Sequence, residues 1–294
     1  MAKYLLLDGY NLAFRAFYAM PELTRADGTP TGALHGWIKA LWKVEDLEGP
    51  ATTVVYFDEG GAAEREAILE SYKANRTEMP EALEAQMPLI REVTALMGIP
   101  LHSQHGIEAD DLIAAAALML VERGDEAVIV SADKDLGQVL RPGIVQLLPA
   151  PTANPKLGWR RRDAADLEAK LGVTPAQVPD YLALIGDTSD NIPGLAGVGP
   201  KTAAKWLREY GSLDGIIANA AHLNPRFREK VPAEANHLRQ NLKLVTLSPD
   251  VCVPEPQPGT VDGPALLAFL ETMEMAQATK QATERYRLNE LNLG

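Results

Sequence analysis

Residues 4–9 read YLLLDG, an apolar run that stops at an aspartate and a glycine. Two further runs have the same form: residues 53–58 read TVVYFD, and residues 127–133 read AVIVSAD. None of them alternates apolar and polar residues, which is typical of strands buried on both faces of a parallel sheet. Helical periodicity over residues 81–97 and 109–121 separates the runs. The sequence therefore predicts an α/β fold with a mostly parallel central sheet and flanking helices.

The strand signal fades after about residue 150, where several prolines mark a loop. Beyond it we predict short helices at 163–171, 175–185, 200–210, 212–219 and 234–247. A proline-rich connection over 253–263 leads to a final helix at 264–275, and we expect the last ten or so residues to be loosely held. This pattern divides the chain into an α/β core (1–155), a helical region (156–250) and a C-terminal extension with one helix (251–294).

Composition narrows the class of protein. The chain has 294 residues, of which 46% are hydrophobic and 23% charged, as in ordinary globular proteins. No apolar run approaches the ~20 residues that span a bilayer, and the first apolar run is too short for a signal peptide. The single cysteine, Cys252, excludes a disulfide framework and a multi-cysteine zinc site. We therefore expect a cytoplasmic protein.

The net charge of −12 argues at first against a nucleic-acid partner, because domains that bind nucleic acids are usually basic. The charge is unevenly distributed, however. Residues 1–155 hold 12 basic and 23 acidic side chains, whereas residues 156–243 hold 13 basic and 10 acidic ones. Residues 244–294 hold 3 basic and 7 acidic ones. The acidic excess therefore lies mainly in the predicted α/β core, and the helical region is slightly basic.

Carboxylates follow all three predicted strands. Because the carboxyl ends of parallel strands meet at one edge of a sheet, we expect Asp8, Asp58 and Asp133 to lie close together. Aspartate is also common in turns, so each one alone is weak evidence. Further acids open a helix or occupy nearby loops, and the full set of candidates is Asp8, Asp58, Glu108, Asp110, Asp111, Asp133, Asp135, Asp187 and Asp190. Capping of a helix explains Glu108 most readily, and a solvated loop is the alternative for Asp187 and Asp190, which would share a face if helical.

So many carboxylates cannot converge without strong repulsion, which divalent cations would offset. Ligation by oxygen alone suits Mg²⁺ or Mn²⁺ rather than zinc, and the five histidines are scattered along the chain. Paired metals about 4 Å apart are the recurring arrangement for phosphodiester hydrolysis. The acidic excess thus becomes an argument for a phosphate substrate.

Two stretches could hold a nucleic acid. Residues 71–76 read SYKANR, and on a helix Tyr72 and Arg76 would share a face beside Lys73. In a functional interpretation Lys73 and Arg76 neutralise the scissile phosphate and Tyr72 stacks a base; a solvated cation–aromatic pair is the structural alternative.

The second stretch, residues 194–205, reads GLAGVGPKTAAK and predicts a tight turn into a helix that starts at Pro200. This is typical of a helix-hairpin-helix that grips a DNA backbone through exposed amides, with Lys201 and Lys205 one turn apart. The arginines at 160–162 and the cations Arg226, Arg228 and Lys230 could extend the contact, although a solvated face explains them equally well.

Together these motifs resemble the 5′-nuclease (flap endonuclease) family, most closely the bacterial 5′→3′ exonuclease found in DNA polymerase I or as a separate protein. The matching pieces are LDG at 7–9 with Arg15, FD at 57–58, YKANR at 72–76, GIEADD at 106–111, DKDL at 133–136, GDTSDNIPG at 186–194 and GVGPKTA at 197–203. They occur in family order across residues 4–250. Small departures are Glu64 in place of an aromatic, Ala132 in place of glycine, and Ala196 in place of proline. The chain contains no polymerase region, so it resembles the standalone form.

The resemblance implies a nuclease core with a helical arch near 60–80 and a helix-hairpin-helix near 186–210. It implies one metal held mainly by Asp8, Asp58, Glu108, Asp110 and Asp133, and a second around Asp135, Asp187 and Asp190, with Asp111 nearby. It assigns catalytic roles to Lys73, Arg76, Asp133 and Asp187. It also assigns DNA contacts to Arg15, Tyr72, Lys73, Arg76, Gly197, Gly199, Lys201, Thr202 and Lys205. Backbone carbonyls near 195–200 are expected to bind K⁺.

The sequence thus predicts a two-metal nuclease that cleaves DNA at 5′ flaps and 5′ ends, in replication or repair. We expect it to act as a monomer on the bacterial nucleoid, with a DNA polymerase and a ligase as possible partners, and to bind DNA more tightly when metal is present. A PIN-like ribonuclease shares the acidic strand ends, but the hairpin and the long helical region count against it. A DNA-junction-binding protein with vestigial carboxylates is the non-enzymatic alternative.

Overall fold

The apolar runs that predicted buried strands form the centre of a six-stranded sheet in the computed structural model, which describes residues 1–288. The strand order is β3-β2-β1-β4-β5-β6, and the first five strands are parallel, as predicted. Their bounds are β1 Lys3–Asp8, β2 Thr52–Tyr56, β3 Leu101–His102, β4 Glu126–Val130, β5 Ile144–Leu148 and β6 Arg160–Arg162.

The sheet separates two layers of helix and has a hydrophobic core on each face. Successive side chains of a strand point to opposite faces, so Leu5 and Leu7 enter one core and Tyr4 and Leu6 the other. In the first half of the chain the helices are α1 Gly9–Ala19, α2 Gly32–Glu48, α3 Ala63–Ile68, α4 Glu81–Glu84, α5 Met87–Leu96 and α6 Ala109–Glu122. Helices α1, α2 and α5 cover one face, and α6 covers the other. Both faces of the central strands are therefore buried, which explains their continuous apolar sequence.

The second half of the chain is helical, with one small hairpin of strands. Its helices are α7 Ala164–Leu171, α8 Val178–Ile185, α9 Pro200–Tyr210, α10 Leu213–Ala218, α11 Pro225–Arg228, α12 Lys230–Ala233, α13 Ala235–Val245, α14 Gly263–Thr272 and α15 Ala276–Arg285. Strands β7 Gly186–Asp187 and β8 Ile192–Pro193 form an antiparallel pair. The predicted helices of this half are found, with ends that differ by a few residues.

Two local predictions were wrong. Residues 160–162 form the antiparallel edge strand β6, so the sheet continues beyond the predicted boundary at residue 155. The arch segment has only one short helix, α3, and then a series of turns in which Lys73 has a φ of +57°. For Asp187 and Asp190 both a helix and a loop were open, and residues 188–190 form a turn. Each of these segments is fixed by partners distant in sequence, which local periodicity does not record.

The C-terminal extension returns to the α/β core. Gly98 and Gly259 lie against each other: the Gly259 amide donates to the Gly98 carbonyl at 3.1 Å, and a β-carbon at Gly259 would meet that carbonyl. Leu266 and Leu270 of α14 are fully buried in the core above α5. The last ten or so residues, predicted to be loosely held, begin where α15 ends at Arg285, and residues 289–294 lie outside the described range. Within residues 1–288, none of the helices combines the length and apolar character needed to cross a membrane.

Candidate metal centre and nucleic-acid interface

The carboxyl edge of the sheet collects acidic side chains from three neighbouring strands. Asp8 ends β1 and pairs in register with Tyr56, two residues before Asp58; Leu7 pairs with Val130, three residues before Asp133. Asp8, Asp58, Asp110 and Asp133 line one cavity of about 380 Å³. The structure thus brings together the strand-end carboxylates that the sequence predicted to meet.

Asp8 is held in position by two hydrogen bonds. Its Oδ1 accepts from the Asn11 amide at 3.0 Å and caps α1, and its Oδ2 accepts from the Ser131 hydroxyl at 2.8 Å. Burial nevertheless raises the pKa of Asp8 from 3.8 to about 7, because desolvation and the charges of Asp133 and Asp58 outweigh these bonds. Without a cation, this carboxylate ionises at a substantial energetic cost.

The start of α6 supplies the next carboxylates. Asp58 accepts from the Ala109 amide at 2.7 Å and so satisfies one exposed donor of the first turn. Burial raises the pKa of Asp58 and raises that of Asp110 well above its ordinary value; for Asp110 the repulsion of Asp133 and Asp8 adds to desolvation. Asp110 therefore stands in an uncompensated negative field, whereas the charges of Lys73 and Arg76 partly offset the burial of Asp58.

The loop after β4 is stiffened by a buried glutamine on the neighbouring strand. The Gln146 amide donates to the carbonyls of Ser131 and Asp133 at 2.9 and 2.7 Å, and its Oε1 accepts from Arg162. The Asp133 carboxylate accepts from the Asp135 amide at 2.8 Å. Burial raises the pKa of both Asp133 and Asp135. The β4 loop thus presents two carboxylates from a fixed backbone.

A second acidic group lies beside the first. Asp135, Asp187 and Asp190 each bring one carboxylate oxygen within 4.8 Å of the others, the only group of three or more potential ligands so close in residues 1–288. A turn rather than a helix brings Asp187 and Asp190 together. Across the described chain, Asp135 Oδ1 is one of few buried side-chain oxygens without a hydrogen-bond partner. An oxygen-only donor set with an unsatisfied buried carboxylate fits a divalent cation of the Mg²⁺ or Mn²⁺ type.

Lys134 partly neutralises this second group. Its ammonium lies 2.8 Å from Asp187, which also accepts from the Ser189 hydroxyl. Burial works against ionisation of Asp187, but the lysine and serine bonds outweigh it and lower its pKa. Asp187 is therefore ionised and has Lys134 as its counter-ion, whereas Asp135 has no such partner in the described chain.

The arch segment folds down onto these acids. Lys73 forms an ion pair with Glu108, and Arg76 pairs with Asp190 at 2.6 Å. The Lys73 amide also donates to the Asp190 carbonyl at 3.0 Å, which fixes its left-handed backbone. The two predicted catalytic cations thus pair with predicted metal ligands, and the Arg76 side chain also stays 49% exposed to solvent.

Tyr72 does not occupy the position expected of a base-stacking residue. Its ring is only 7% exposed and packs in the core below α6, and its hydroxyl lies 3.3 Å from both Glu108 and Asp190. Burial and these carboxylates raise the pKa of its phenol. In this conformation Tyr72 anchors the arch segment and offers no face to a base.

Arg65 is a site residue outside the predicted set. Its guanidinium forms two bonds with Asp111, at 2.8 and 2.9 Å, an ion pair with Glu108, and bonds to the carbonyls of Leu244 and Thr246. Asp111 also accepts from the Ser248 amide at 2.8 Å, and it lines a cavity other than the one that holds Asp8. Asp111 therefore links the arch to the end of α13, and Glu108 is an ion-paired residue rather than a capping one.

The cavity over the acids also has an aromatic wall that sequence reasoning missed. Tyr10, Phe14 and Tyr18 recur every four residues on α1 and line the cavity, and Tyr18 is 62% exposed. The helical spacing after an aspartate was the available signal. Arg15 lies in the same wall, donates to the Ala150 carbonyl at 2.6 Å, and has a pKa lowered by burial.

The predicted hairpin leads directly into α9. Gly197 has a φ of +89°, Gly199 precedes the helix, and Pro200 is its first residue. The side chains of Lys201, Thr202 and Lys205 line a cavity of about 400 Å³ with Trp206, Asn224, Arg226 and Phe227. Lys201 and Lys205 are exposed on one face. This arrangement suits contact with a phosphate backbone.

The arginine run at 160–162 has other partners. Arg162 is buried against Gln146, and Arg161 bridges Glu48 and Glu126 at 3.1 and 2.9 Å. The solvated face does not describe Arg162, which is buried, whereas Arg161 is exposed while it forms these ion pairs. Arg228 donates to the Leu223 carbonyl, whereas Arg226 and Lys230 lie beside the hairpin.

Comparison with known proteins agrees with the resemblance noted in the sequence. A family model described as the 5′-3′ exonuclease N-terminal resolvase-like domain matches residues 3–172, and one described as the 5′-3′ exonuclease C-terminal SAM fold matches residues 173–262. The 5′-3′ exonuclease of Aquifex aeolicus is 38% identical over 247 residues, which cover 84% of this chain and 82% of the relative. DNA polymerase I of Rhizobium leguminosarum is 37% identical over 95% of this chain, which spans only 28% of that polymerase.

Solved structures share the fold. The flap endonuclease of bacteriophage T5, in a pseudo-enzyme-product complex with DNA and metal ions, aligns with a TM-score of 0.67 at 23% identity, covering 96% of this chain and 98% of that one. The catalytic core of Rad2 with a DNA substrate aligns with a TM-score of 0.63 at 17% identity, covering 96% and 90%. The sheet, the helical region and their connection are therefore those of known nucleases.

Proposed function

Because this chain belongs to the 5′-3′ exonuclease family, we propose that it is a metal-dependent, structure-specific 5′-nuclease. It would hydrolyse DNA phosphodiesters at 5′ flaps and 5′ ends, in replication or repair. The observation that carries this proposal is the close approach of Asp135, Asp187 and Asp190 beside a cavity lined by the strand-end carboxylates.

Two groups of residues would hold two divalent ions, Mg²⁺ or Mn²⁺. Asp8, Asp58, Asp110 and Asp133, with Glu108, would hold one; Asp135, Asp187 and Asp190 would hold the other. Bound there, such ions supply an activated water and stabilise the leaving oxygen. Asp111 is bound by Arg65 and would not contact an ion. It would instead help to position α6, which carries residues of the first group.

The cations of the arch would bind the scissile phosphate. Lys73 and Arg76 lie at the rim of the acidic cavity, so a phosphate that reaches the acids also reaches them. Their positive charge would stabilise the charge that develops on the phosphate oxygens. Arg15 would bind an adjoining phosphate, and the wall of Tyr10, Phe14 and Tyr18 would stack unpaired bases.

The helical region would hold the duplex. Gly197 and Gly199 expose backbone amides, and Lys201, Thr202 and Lys205 face the same side of α9, which suits contact with the backbone irrespective of sequence. We further propose that the protein acts as a monomer, with a polymerase and a ligase to fill and seal the product. A chain that acts on bacterial DNA would work in the cytoplasm.

The test is cleavage of labelled 5′-flap, nicked and blunt DNA with Mg²⁺. Asp133→Asn and Asp187→Asn should lower the rate by about 10²-fold or more, because each removes a charge that metal binding needs. Asp214→Asn changes an exposed acid that pairs with Arg239, and is the matched control. Full activity of both site variants would refute the proposal. Faster cleavage of a matched RNA flap would favour a ribonuclease, and junction binding without product would favour a non-catalytic protein.

A further inference from the structure

Most carbonyl oxygens of the hairpin before α9 already accept hydrogen bonds, and two of them accept from charged side chains. A protein binds K⁺ by replacing its hydration shell with several converging carbonyls. Here the Ala196 carbonyl accepts from the Lys230 ammonium at 2.8 Å, and the Gly197 carbonyl accepts from the Arg226 guanidinium at 3.1 Å. Two positively charged side chains therefore occupy carbonyls of the segment in which the ion is expected.

Three other carbonyls of this segment also accept hydrogen bonds. The Leu195 carbonyl accepts from the Val198 amide at 2.9 Å, and the Gly199 carbonyl accepts from two amides of α9. The Pro193 carbonyl accepts from Asn241 at 2.7 Å and lies 2.9 Å from a ring nitrogen of His237. A bound ion would have to displace several of these donors and would meet the repulsion of Lys230 and Arg226.

The two cations are themselves held in place. Arg226 lies over the ring of Phe227 at 4.3 Å, and Phe227 packs edge-on against Trp206 of α9 at 4.9 Å. Lys230 begins α12, so its bond to Ala196 joins the hairpin to the next pair of helices. Arg226 is exposed and Lys230 partly so, which leaves their charges accessible to a phosphate.

We propose that Lys230 and Arg226 replace the monovalent cation of this hairpin. They cross-link its carbonyls to α11 and α12, and they present to the DNA backbone the positive charge that a bound ion would supply. The hairpin is then independent of the type of monovalent salt. The DNA-binding part of this inference rests on the proposed function, whereas the structural part does not.

The first test uses the full chain without DNA. Its thermal unfolding midpoint is measured in KCl and in N-methylglucamine chloride at equal ionic strength, for the natural protein, Lys230→Met and Arg228→Met. Arg228→Met removes a nearby charge that does not contact the hairpin carbonyls, and is the matched control. We expect the natural protein and the control to have equal midpoints in both salts. We expect Lys230→Met to be more stable in KCl, because K⁺ can bind the freed carbonyls.

The second test measures the affinity for a fluorescent 5′-flap duplex in Ca²⁺. Losing one phosphate contact at about 0.1 M salt lowers affinity by about eightfold. Lys230→Met should show about that loss in N-methylglucamine, with partial recovery in KCl. A higher midpoint of the natural protein in KCl, or a Lys230→Met midpoint that is the same in both salts, would overturn the inference. No flap binding by any of the proteins would refute the proposed function instead, and the unfolding midpoints would still decide the inference.

Discussion

Asp8→Asn should stabilise the metal-free protein, although it removes a residue of the proposed active site. Asp8 is 7% exposed, and burial raises its pKa to about 7. Asparagine caps a helix as well as aspartate does, so the bond from the Asn11 amide is kept. The Ser131 hydroxyl can rotate to accept from the new amide. The substitution therefore removes mainly the cost of ionising a buried group.

The size and sign of the effect follow from the pKa of Asp8 in the two states. In the folded state it is about 7, and its ordinary value is 3.8. Asp8 therefore stays protonated to a higher pH in the folded protein than in the unfolded chain. As a result, the free energy of unfolding falls as pH rises from about 4 to 7. At about 1.36 kcal/mol per pH unit, the loss is about 4 kcal/mol at pH 8 and about 2 kcal/mol at pH 5. These are upper bounds, because Asp58 and Asp133 titrate with Asp8.

The assay is urea unfolding in EDTA at pH 5, 6, 7 and 8, followed by tryptophan fluorescence. Asp8→Asn should be more stable than the natural protein at pH 8, and the difference should halve by pH 5. Asp250→Asn, at an exposed position, should change stability by less than about 0.5 kcal/mol at any pH. Mg²⁺ should stabilise the natural protein more than the variant. A variant that is less stable at pH 8, or a difference independent of pH, would refute the reasoning.

Two further predictions concern the arch. Ca²⁺ should accelerate tryptic cleavage after Lys73 and Arg76, because the ion competes for Glu108 and Asp190; equal cleavage with and without Ca²⁺ would contradict this. Arg65→Ala should lower the free energy of unfolding by about 3–5 kcal/mol, because it leaves Asp111 buried without a counter-ion and Glu108 with Lys73 alone. Arg25→Ala, which breaks an exposed pair with Asp27, should cost at most about 1 kcal/mol in the same urea titration, and an equal loss for both variants would count against a structural role of Arg65.

The sheet and its acidic edge could be predicted because both depend on local pattern. Unbroken apolar runs are required of strands buried on both faces, and the residues after parallel strands meet at one edge. The hairpin at Gly197 could be predicted for the same reason, since its glycine and proline specify local backbone conformation. Strand β5 was missed: Gln146 interrupts its apolar run, and that glutamine is buried because it holds the Asp133 loop.

The ion pairs of the site could not be predicted in this way. Arg65 reaches Asp111 across 46 residues, and Arg76 reaches Asp190 across 114. Such contacts leave no periodic trace in the sequence, and the left-handed backbone of Lys73 depends on the Asp190 carbonyl that its amide meets. Residues 71–76 do not form the helical arch that the resemblance implied, because these tertiary bonds override local preference.

The net charge of −12 can now be resolved into two kinds of carboxylate. Glu108, Asp111, Asp187 and Asp190 are neutralised by Arg65, Lys73, Lys134 and Arg76 of the same chain. Asp8, Asp58, Asp110, Asp133 and Asp135 have raised pKa values instead.

This division implies an order of binding. A divalent ion gains the most binding free energy where negative charge is not already neutralised by the protein. We therefore expect the first ion to bind at the strand-end aspartates. A second ion, at Asp187 and Asp190, has to displace Lys134 and Arg76. Arg76 is then free for a phosphate, as is Lys73 if an ion also takes Glu108. Metal should therefore precede DNA, and flap affinity should rise with divalent ions even though they add no contact to the duplex. Equal affinity in EDTA and in Ca²⁺ would show that the arch cations are available without metal.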